Sequence, residues 1–362
     1  MLRNAKIRVA IIDDSAFMRK SLTLMLQSDE HIEIIGTARD GEDGYNLVKT
    51  KRPDVVTLDI EMPRMDGLTA LEKIMKDCPT PVLMVSSLTV EGAEATLKAL
   101  ELGAVDFIPK GMSYVNMDIV KIKEDLVSKV KAIAKKQSLS ETLRRLRSLT
   151  SFAKSAATES VVVTNKKIAY NYKAICVGIS TGGPLSLQKF LPGISAKVTQ
   201  PIFIVQHMPP MFTKSLAERL NSMCKHDVKE AEDDEIVKSG NIYIAPGGKH
   251  MTVYKKSFSE LAIRISDYPS NTLHKPSVDV MMKSVADIYQ DKTLSIIMTG
   301  MGRDGTEGIQ KIKSLGGQCI AQNEESCVVY GMPKSVVDAG MADAVVPLEK
   351  IADLLNEGVT NG

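Results

Sequence analysis

The sequence carries no charge excess of either sign: 46 lysines and arginines stand against 44 aspartates and glutamates, a formal net charge of +2. That balance leaves nothing to pull the whole molecule onto nucleic acid or an anionic membrane, so partners must be sought at particular sites. Cysteine is sparse and forms no CxxC pair: Cys78, Cys176, Cys224, Cys319 and Cys327 are scattered and odd in number. The pattern suits free thiols in a reducing cytoplasm better than a disulfide framework or a zinc knuckle. Cys176 and Cys319 fall inside strand-like runs, where a thiol serves as a small core side chain. Long apolar runs are also lacking. The opening MLRNAKIRVAIIDDS meets charge within a few residues and reads as neither a signal peptide nor a membrane span, so a cytoplasmic protein is expected.

What is present is alternation. At 362 residues the chain exceeds the length at which one hydrophobic core stops growing, so two domains are expected. Short apolar strands alternate with amphipathic segments in the first part: Arg8 to Ile12, Glu33 to Thr37, Val55 to Asp59, Pro81 to Ser86 and Asp106 to Pro109, with a last helix over about 120–136. Five strands and five helices predict a flavodoxin-like α/β domain over residues 1–134.

Residues 135–171 are basic and small polar, and read as a linker with a polar helix over Ser138 to Leu149. Its Arg144, Arg145 and Arg147 have no accompanying aromatics, so a solvated segment is favoured over nucleic-acid binding. A second alternating region fills 172–355. Its strands are expected at Ala174 to Gly178, Pro201 to Gln206, Asn241 to Ala245, Met251 to Tyr254, Leu261 to Ile265, Leu294 to Thr299, Cys319 to Gln322 and Ala344 to Val346. Helices are expected at Leu185 to Leu191, Phe212 to Cys224, Ser277 to Tyr289, Thr306 to Leu315 and Lys334 to Ala339. A mostly parallel α/β domain with a small antiparallel insertion fits this order.

Asp13 and Asp14 close the first strand and Asp59 closes the third, so a doubly wound sheet gathers all three at its carboxyl edge. Clustered carboxylates repel unless a cation joins them, which favours an oxygen-rich Mg²⁺ site. Asp59 could then attack a phosphoryl group, with Ser86 donating to a phosphoryl oxygen and Lys110 supplying charge. The stretches VAIIDDSAFMR, DVVTLDIEMPRMDGL, PVLMVSS and GAVDFIPKG resemble the response-regulator receiver family over roughly residues 6–130. The resemblance implies that Asp59 is the phospho-acceptor and that Asp13, Asp14, Asp59 and the Glu61 carbonyl serve Mg²⁺. It also implies that Ser86 and Lys110 contact the phosphoryl group, that Phe107 is the aromatic switch, and that a histidine kinase is the donor.

In the second region, CVGISTGGP places Ser180 after a buried strand in the G-x-S-x-G spacing of a nucleophile elbow. Glycines before a helix could equally cradle a phosphate. PIFIVQ delivers His207 and LSIIMTG delivers the GMGRDG loop holding Asp304, and a parallel sheet can bring all three to one edge. His207 would act as base and then acid, Asp304 would orient it, and backbone N–H groups near Thr181 or Met301 could receive an oxyanion. The order Ser, His, Asp differs from that of α/β-hydrolases. His226 has polar flanks and reads as a surface residue; His250 and His274 could lie near the site but lack metal-ligand spacing.

GISTGGP, QHMPPMFT, NIYIAPGGKHM, HKPSVDVMM and TGMGRDGTEG together resemble the catalytic domain of chemotaxis protein-glutamate methylesterases over most of 172–350. The resemblance implies Ser180 as nucleophile, His207 as base and acid, Asp304 as orienting carboxylate and Met301 N–H as oxyanion donor, with no metal at that centre. It implies hydrolysis of γ-glutamyl methyl esters on methyl-accepting chemoreceptors, release of methanol, and deamidation of selected receptor glutamines. Fusion of the two sets leads to the expectation that phosphorylation relieves a restriction of access to Ser180 by the receiver. The alternative is a phosphorylation-gated binding module with a vestigial hydrolytic site.

Overall fold

The structure, a computed structural model, describes residues 6–110, 122–135, 168 and 171–360. The chain divides into two compact units on either side of residue 158.

In the first unit, β1 (Ile7–Ile12), β2 (Ile32–Ala38), β3 (Val55–Asp59), β4 (Val82–Ser86) and β5 (Asp106–Pro109) form one parallel sheet in the order β2-β1-β3-β4-β5. Helices α1 (Ala16–Gln27), α2 (Gly41–Lys51), α3 (Gly67–Asp77), α4 (Val90–Glu101) and α5 (residues 122–135) alternate with the strands. Strands β3 and β4 are buried at every position, as a sheet covered on both faces requires. Val9, Ile11, Leu83 and Val85 of the sheet pack with Leu22 and Leu26 of α1 and Leu126 and Val130 of α5. Ser15, Asp40, Asp66 and Thr89 each accept a backbone N–H at a helix start, so the helices begin where polar caps follow strand ends. Strand order reverses between β1 and β3, which opens the crevice where such sheets take ligands.

The second unit is built on a seven-stranded parallel sheet. Its strands are β6 (Ala174–Ile179), β7 (Ile202–Gln206), β8 (Val228–Glu230), β9 (Ile242–Ile244), β12 (Thr293–Ile297), β13 (Gln318–Gln322) and β14 (Ala344–Val346), in the order β14-β13-β12-β6-β7-β9-β8. Between β9 and β12, β10 (His250–Lys255) and β11 (Leu261–Ser266) form the antiparallel insertion foreseen from sequence. The helices are α6 (Gly183–Phe190), α7 (Phe212–Asn221), α8 (Val278–Tyr289), α9 (Thr306–Ser314), α10 (Met332–Asp338) and α11 (Leu348–Thr360). Val278, Met281, Met282 and Val285 of α8 meet Cys176, Ile297, Ile309 and the hairpin residues Met251 and Val253 in one buried cluster. Cys176 and Cys319 are fully buried, as their strand context requires.

One strand and one α-helix escaped the sequence reading. Strand β8 is three residues long and only Val228 in it is buried, too little for an alternating signal. Helix α11 was legible in principle, since Leu348, Ile351, Ala352 and Leu355 recur at helical spacing and are buried. One expectation is overturned: His226 is buried, not on the surface, and its Nε2 donates to the Val198 carbonyl at 2.8 Å. Its polar neighbours turn outward where the chain passes from α7 into β8. The expected helix over Ser138 to Leu149 and the arginines at 144, 145 and 147 lie outside the described residues. No helix among the described residues is long and apolar enough to cross a membrane.

Candidate active site and phospho-acceptor pocket

Strand order in the second sheet reverses around β6, whose neighbours are β7 on one side and β12 on the other. Ser180 follows β6, His207 follows β7 and Asp304 lies in the connection from β12 to α9, so the three expected residues share the carboxyl edge at the switch point. Register sets β6 beside β7 with Ile179 opposite Gln206, and the His207 N–H donates to the Ile179 carbonyl at 3.1 Å. Ser180 and His207 are thus adjacent across the strand pair.

The elbow is held from below. Ser180 N–H donates to the Thr299 carbonyl at 2.9 Å, and Gly182 takes a left-handed φ of +74°, which lets the chain turn directly into α6. The Thr299 hydroxyl donates to the Thr181 carbonyl at 2.9 Å and accepts N–H bonds from Val328 and Val329, both at 3.0 Å. The buried Gln206 adds a second tie: its Nε2 donates to the Ser180 carbonyl at 3.0 Å and to the His207 carbonyl at 3.2 Å. One side-chain amide therefore fixes the backbones of both Ser180 and His207. The Ser180 hydroxyl makes no hydrogen bond among the described residues.

His207 Nε2 lies 2.8 Å from Asp304 Oδ2. A carboxylate only accepts, so Nε2 carries the proton and Nδ1 is the basic nitrogen. Asp304 is saturated with donors: Oδ1 accepts from the Ser277 hydroxyl and the Asp279 N–H, both at 3.0 Å, and Oδ2 accepts also from the Val278 N–H at 2.8 Å. These donors are the cap and first turn of α8, whose positive end favours an anion. Burial alone pushes the Asp304 carboxyl up; the His207 bond and charge and the α8 N–H groups outweigh it and hold the group well below the usual carboxylate range. Asp279 goes the other way, to about 6, because burial dominates and the Asp304 charge adds to it, against the Gly308 N–H.

Gly300 packs against the elbow: a Cβ there would come within 2.9 Å of Ser180 Cβ and press on Met332 Sδ. Its carbonyl accepts N–H bonds from Gly331 at 3.0 Å and Met332 at 2.9 Å, which pins the following Met301 turn. The Met301 N–H has no acceptor among the described residues. His274 stacks on His207 with ring centroids 4.3 Å apart and 21° between planes. Ser277 and Gln206 were not singled out from sequence. A serine ahead of the apolar run of α8 is an N-cap signal that would have pointed to the first; nothing local marks the second.

In the first sheet, Asp13, Asp14 and Asp59 each place one carboxylate oxygen within 4.8 Å of the others. Lys110 Nζ lies 2.6 Å from Asp59 Oδ2 and 3.4 Å from Asp13 Oδ2. Asp59 is pushed up to about 6, mainly by burial, with Lys110 opposing and Asp13 adding to the rise. Burial also raises Asp13, against Lys110 and the Ser15 N–H. Two buried carboxylates and one exposed one, all oxygen donors, fit a hard divalent cation that would relieve this repulsion. Glu61 N–H donates to Asp59 Oδ1 at 3.3 Å, so the Glu61 backbone borders the pocket. Ser86 is turned toward α4: its hydroxyl donates to the Gly92 carbonyl at 3.1 Å and accepts from Thr96 Oγ1 at 2.7 Å. Phe107 is buried, with its carbonyl accepting from Lys129 Nζ at 2.9 Å.

An acidic pocket with a lysine on a flavodoxin-like sheet, joined in one chain to a serine, histidine and aspartate set on another, defines a response regulator with a hydrolase effector. The response regulator receiver domain profile matches residues 9–119 and the CheB methylesterase profile matches residues 175–355. The protein-glutamate methylesterase/protein-glutamine glutaminase 1 of Oleidesulfovibrio alaskensis is 48% identical over 369 residues, covering 98% of this chain and 99% of the relative. The protein of the same description from Pyrococcus abyssi is 45% identical, covering 99% and 95%. The crystal structure of the Thermotoga maritima CheB methylesterase catalytic domain aligns with a TM-score of 0.50 and 46% identity, covering 51% of this chain and 98% of that one. The chain belongs to the CheB methylesterase family, in its form with an N-terminal receiver domain.

Proposed function

We propose that the protein hydrolyses glutamate γ-methyl esters on chemoreceptors to glutamate and methanol, deamidates selected receptor glutamines, and is activated by phosphorylation of Asp59. The single observation that carries this reading is the His207–Asp304 bond at the sheet edge where the Ser180 elbow emerges. Ser180 Oγ attacks the acyl carbon as its proton passes to His207 Nδ1, and the oxyanion takes the Met301 N–H. Collapse of the adduct expels methanol, or ammonia from a glutamine, carrying the proton from His207. Water, deprotonated by the same imidazole, then attacks the acyl-enzyme; glutamate leaves and Ser180 Oγ recovers its proton. The centre needs only side chains and backbone amides for these steps.

Asp13, Asp14 and Asp59, with the Glu61 carbonyl, would hold Mg²⁺ in the receiver, and the ion's part there is to offset phosphoryl charge. Lys110 adds a second positive charge at the Asp59 oxygen it already contacts. Ser86 contributes its hydroxyl once it leaves the Gly92 carbonyl, and that movement gives Phe107 room to act as the switch. A chemotaxis histidine kinase is the phosphodonor, and the work is done in the cytoplasm, on the cytoplasmic helices of the receptors. Residues 1–134 would serve as the receiver, 135–171 as the linker and 172–355 as the catalytic domain. Methanol release from methylated receptor helices should be lost in Ser180→Ala; release undiminished in that variant would overturn the assignment.

A further inference from the structure

His250 opens β10, is fully buried, and takes no part in the steps above. Its two ring nitrogens are both engaged. Nδ1 accepts the Ser277 backbone N–H at 3.2 Å. Nε2 lies 3.1 Å from the Pro269 carbonyl and 3.1 Å from Thr272 Oγ1. An amide N–H can only donate and a carbonyl can only accept, so both ends of the ring demand the same neutral tautomer, protonated at Nε2. Burial is the largest influence on the group and, with the Lys275 charge, outweighs the Pro269 carbonyl, Asp304 and Asp267 to lower its pKa.

Both contacts lead to the catalytic pair. Ser277, held by its N–H, donates its hydroxyl to Asp304 Oδ1 at 3.0 Å, and Asp304 holds His207. Pro269 and Thr272 belong to the segment between β11 and α8, which also carries His274, the ring stacked on His207. One buried imidazole thus reaches the carboxylate side of His207 through Ser277 and its ring face through the β11–α8 segment.

We propose that His250 is a positioning residue of the hydrolytic centre: its neutral ring holds Ser277 under Asp304 and the His274 segment beside His207, and its protonation in acid loosens both. A proton on Nδ1 sets a donor against the Ser277 N–H, so that contact fails. The charged groups facing the ring are Lys275 and Asp267 from the β11–α8 segment and Asp304 from the β12–α9 connection. Asp304 and Asp267 are both held below the ordinary carboxylate range, Asp267 by Lys249 above all, so both stay ionised while the ring titrates.

The proposal rests on the esterase reading for its kinetic arm alone. In the full chain labelled with ¹⁵N-histidine, ring NMR at neutral pH should show His250 protonated at Nε2, and His250→Leu should shift the His207 ring signals. That variant should lower kcat for methanol release on the order of 10-fold with a smaller change in KM, since a misplacement of about 1 Å far from the chemistry can cost up to about 10²-fold. In His250→Asn the carboxamide oxygen can accept the Ser277 N–H, so kcat should recover to within about 3-fold of wild type, and the change in the His207 ring signals that accompanies His250 titration in wild type should be absent. An Nδ1-protonated His250, or a folded His250→Leu with unmoved His207 signals, overturns the proposal. Should the leucine variant not fold, a kcat in His250→Asn reduced by more than about 10-fold does so. Absence of methanol release from the wild type would sink the esterase reading and leave the NMR result standing.

Discussion

Asp304 Oδ2 accepts the Nε2 proton of His207 at 2.8 Å, so Nδ1 is left as the basic nitrogen of the ring. Asn in place of Asp304 keeps the shape, and an oxygen at the Oδ1 position can still accept from the Ser277 hydroxyl and the Asp279 N–H, while the Val278 N–H loses its acceptor. Its NH₂ then faces Nε2 and drives the ring proton to Nδ1, where it blocks the base. Asp304→Asn should lower kcat on the order of 10³-fold or more, with ¹⁵N ring shifts of His207 reporting the reversed tautomer. Retained Nε2 protonation with full activity would contradict this role.

Gly300 has no room for a side chain against Ser180. Gly300→Ala should displace the Met301 turn or the elbow and cut kcat by about 10-fold or more while the receiver continues to accept phosphate. Unchanged ester hydrolysis would show that neither moved.

The cluster of Asp13, Asp14 and Asp59 should bind Mg²⁺ in the absence of any phosphodonor. Titration calorimetry should give a saturable heat for the wild type and at least about 10-fold weaker binding for Asp13→Asn, since each carboxylate removed lowers the charge drawn to the cation. Equal affinities would place the ion elsewhere.

Asp279 makes a stability prediction with a defined sign. Its carboxyl is raised from 3.8 to about 6 in the fold, so the folded state binds its proton more tightly than the unfolded chain. Ionising it therefore costs stability: nothing below about pH 4, increasingly as pH rises from there to 6, and in full above. Asp279→Asn should stabilise the protein above pH 6, on the order of 1 kcal/mol once its partial exposure is discounted, with no gain near pH 4. Thermal melts at the two pH values decide it; an equal gain at both would remove the linkage.

The strands and the placement of the candidate site residues were legible because they lie where chemistry and pattern coincide. Apolar runs ending in Asp13, Asp59, Ser180 and His207 announce buried strands that deliver polar groups to a carboxyl edge, and the structure has those strands. What sequence could not yield is the support beneath: Gln206 bridging two carbonyls, Thr299 tying the elbow to residues 328 and 329, and Ser277 under Asp304. Apart from the Gln206 contact to neighbouring His207, such residues act through partners 26 to 118 positions away, set by register and not by any local period. His226 misled for the same reason, since its polar flanks say nothing of the Val198 carbonyl it meets.

The most direct measurement is the rate of methanol release from methylated receptor helices by the full chain in Mg²⁺, with and without a small phosphodonor, for wild type and Asp59→Ala. Wild type should accelerate with the phosphodonor and Asp59→Ala should not, both losing all release on Ser180→Ala. Equal rates for wild type and Asp59→Ala with the phosphodonor present would contradict phosphorylation control of the hydrolytic site.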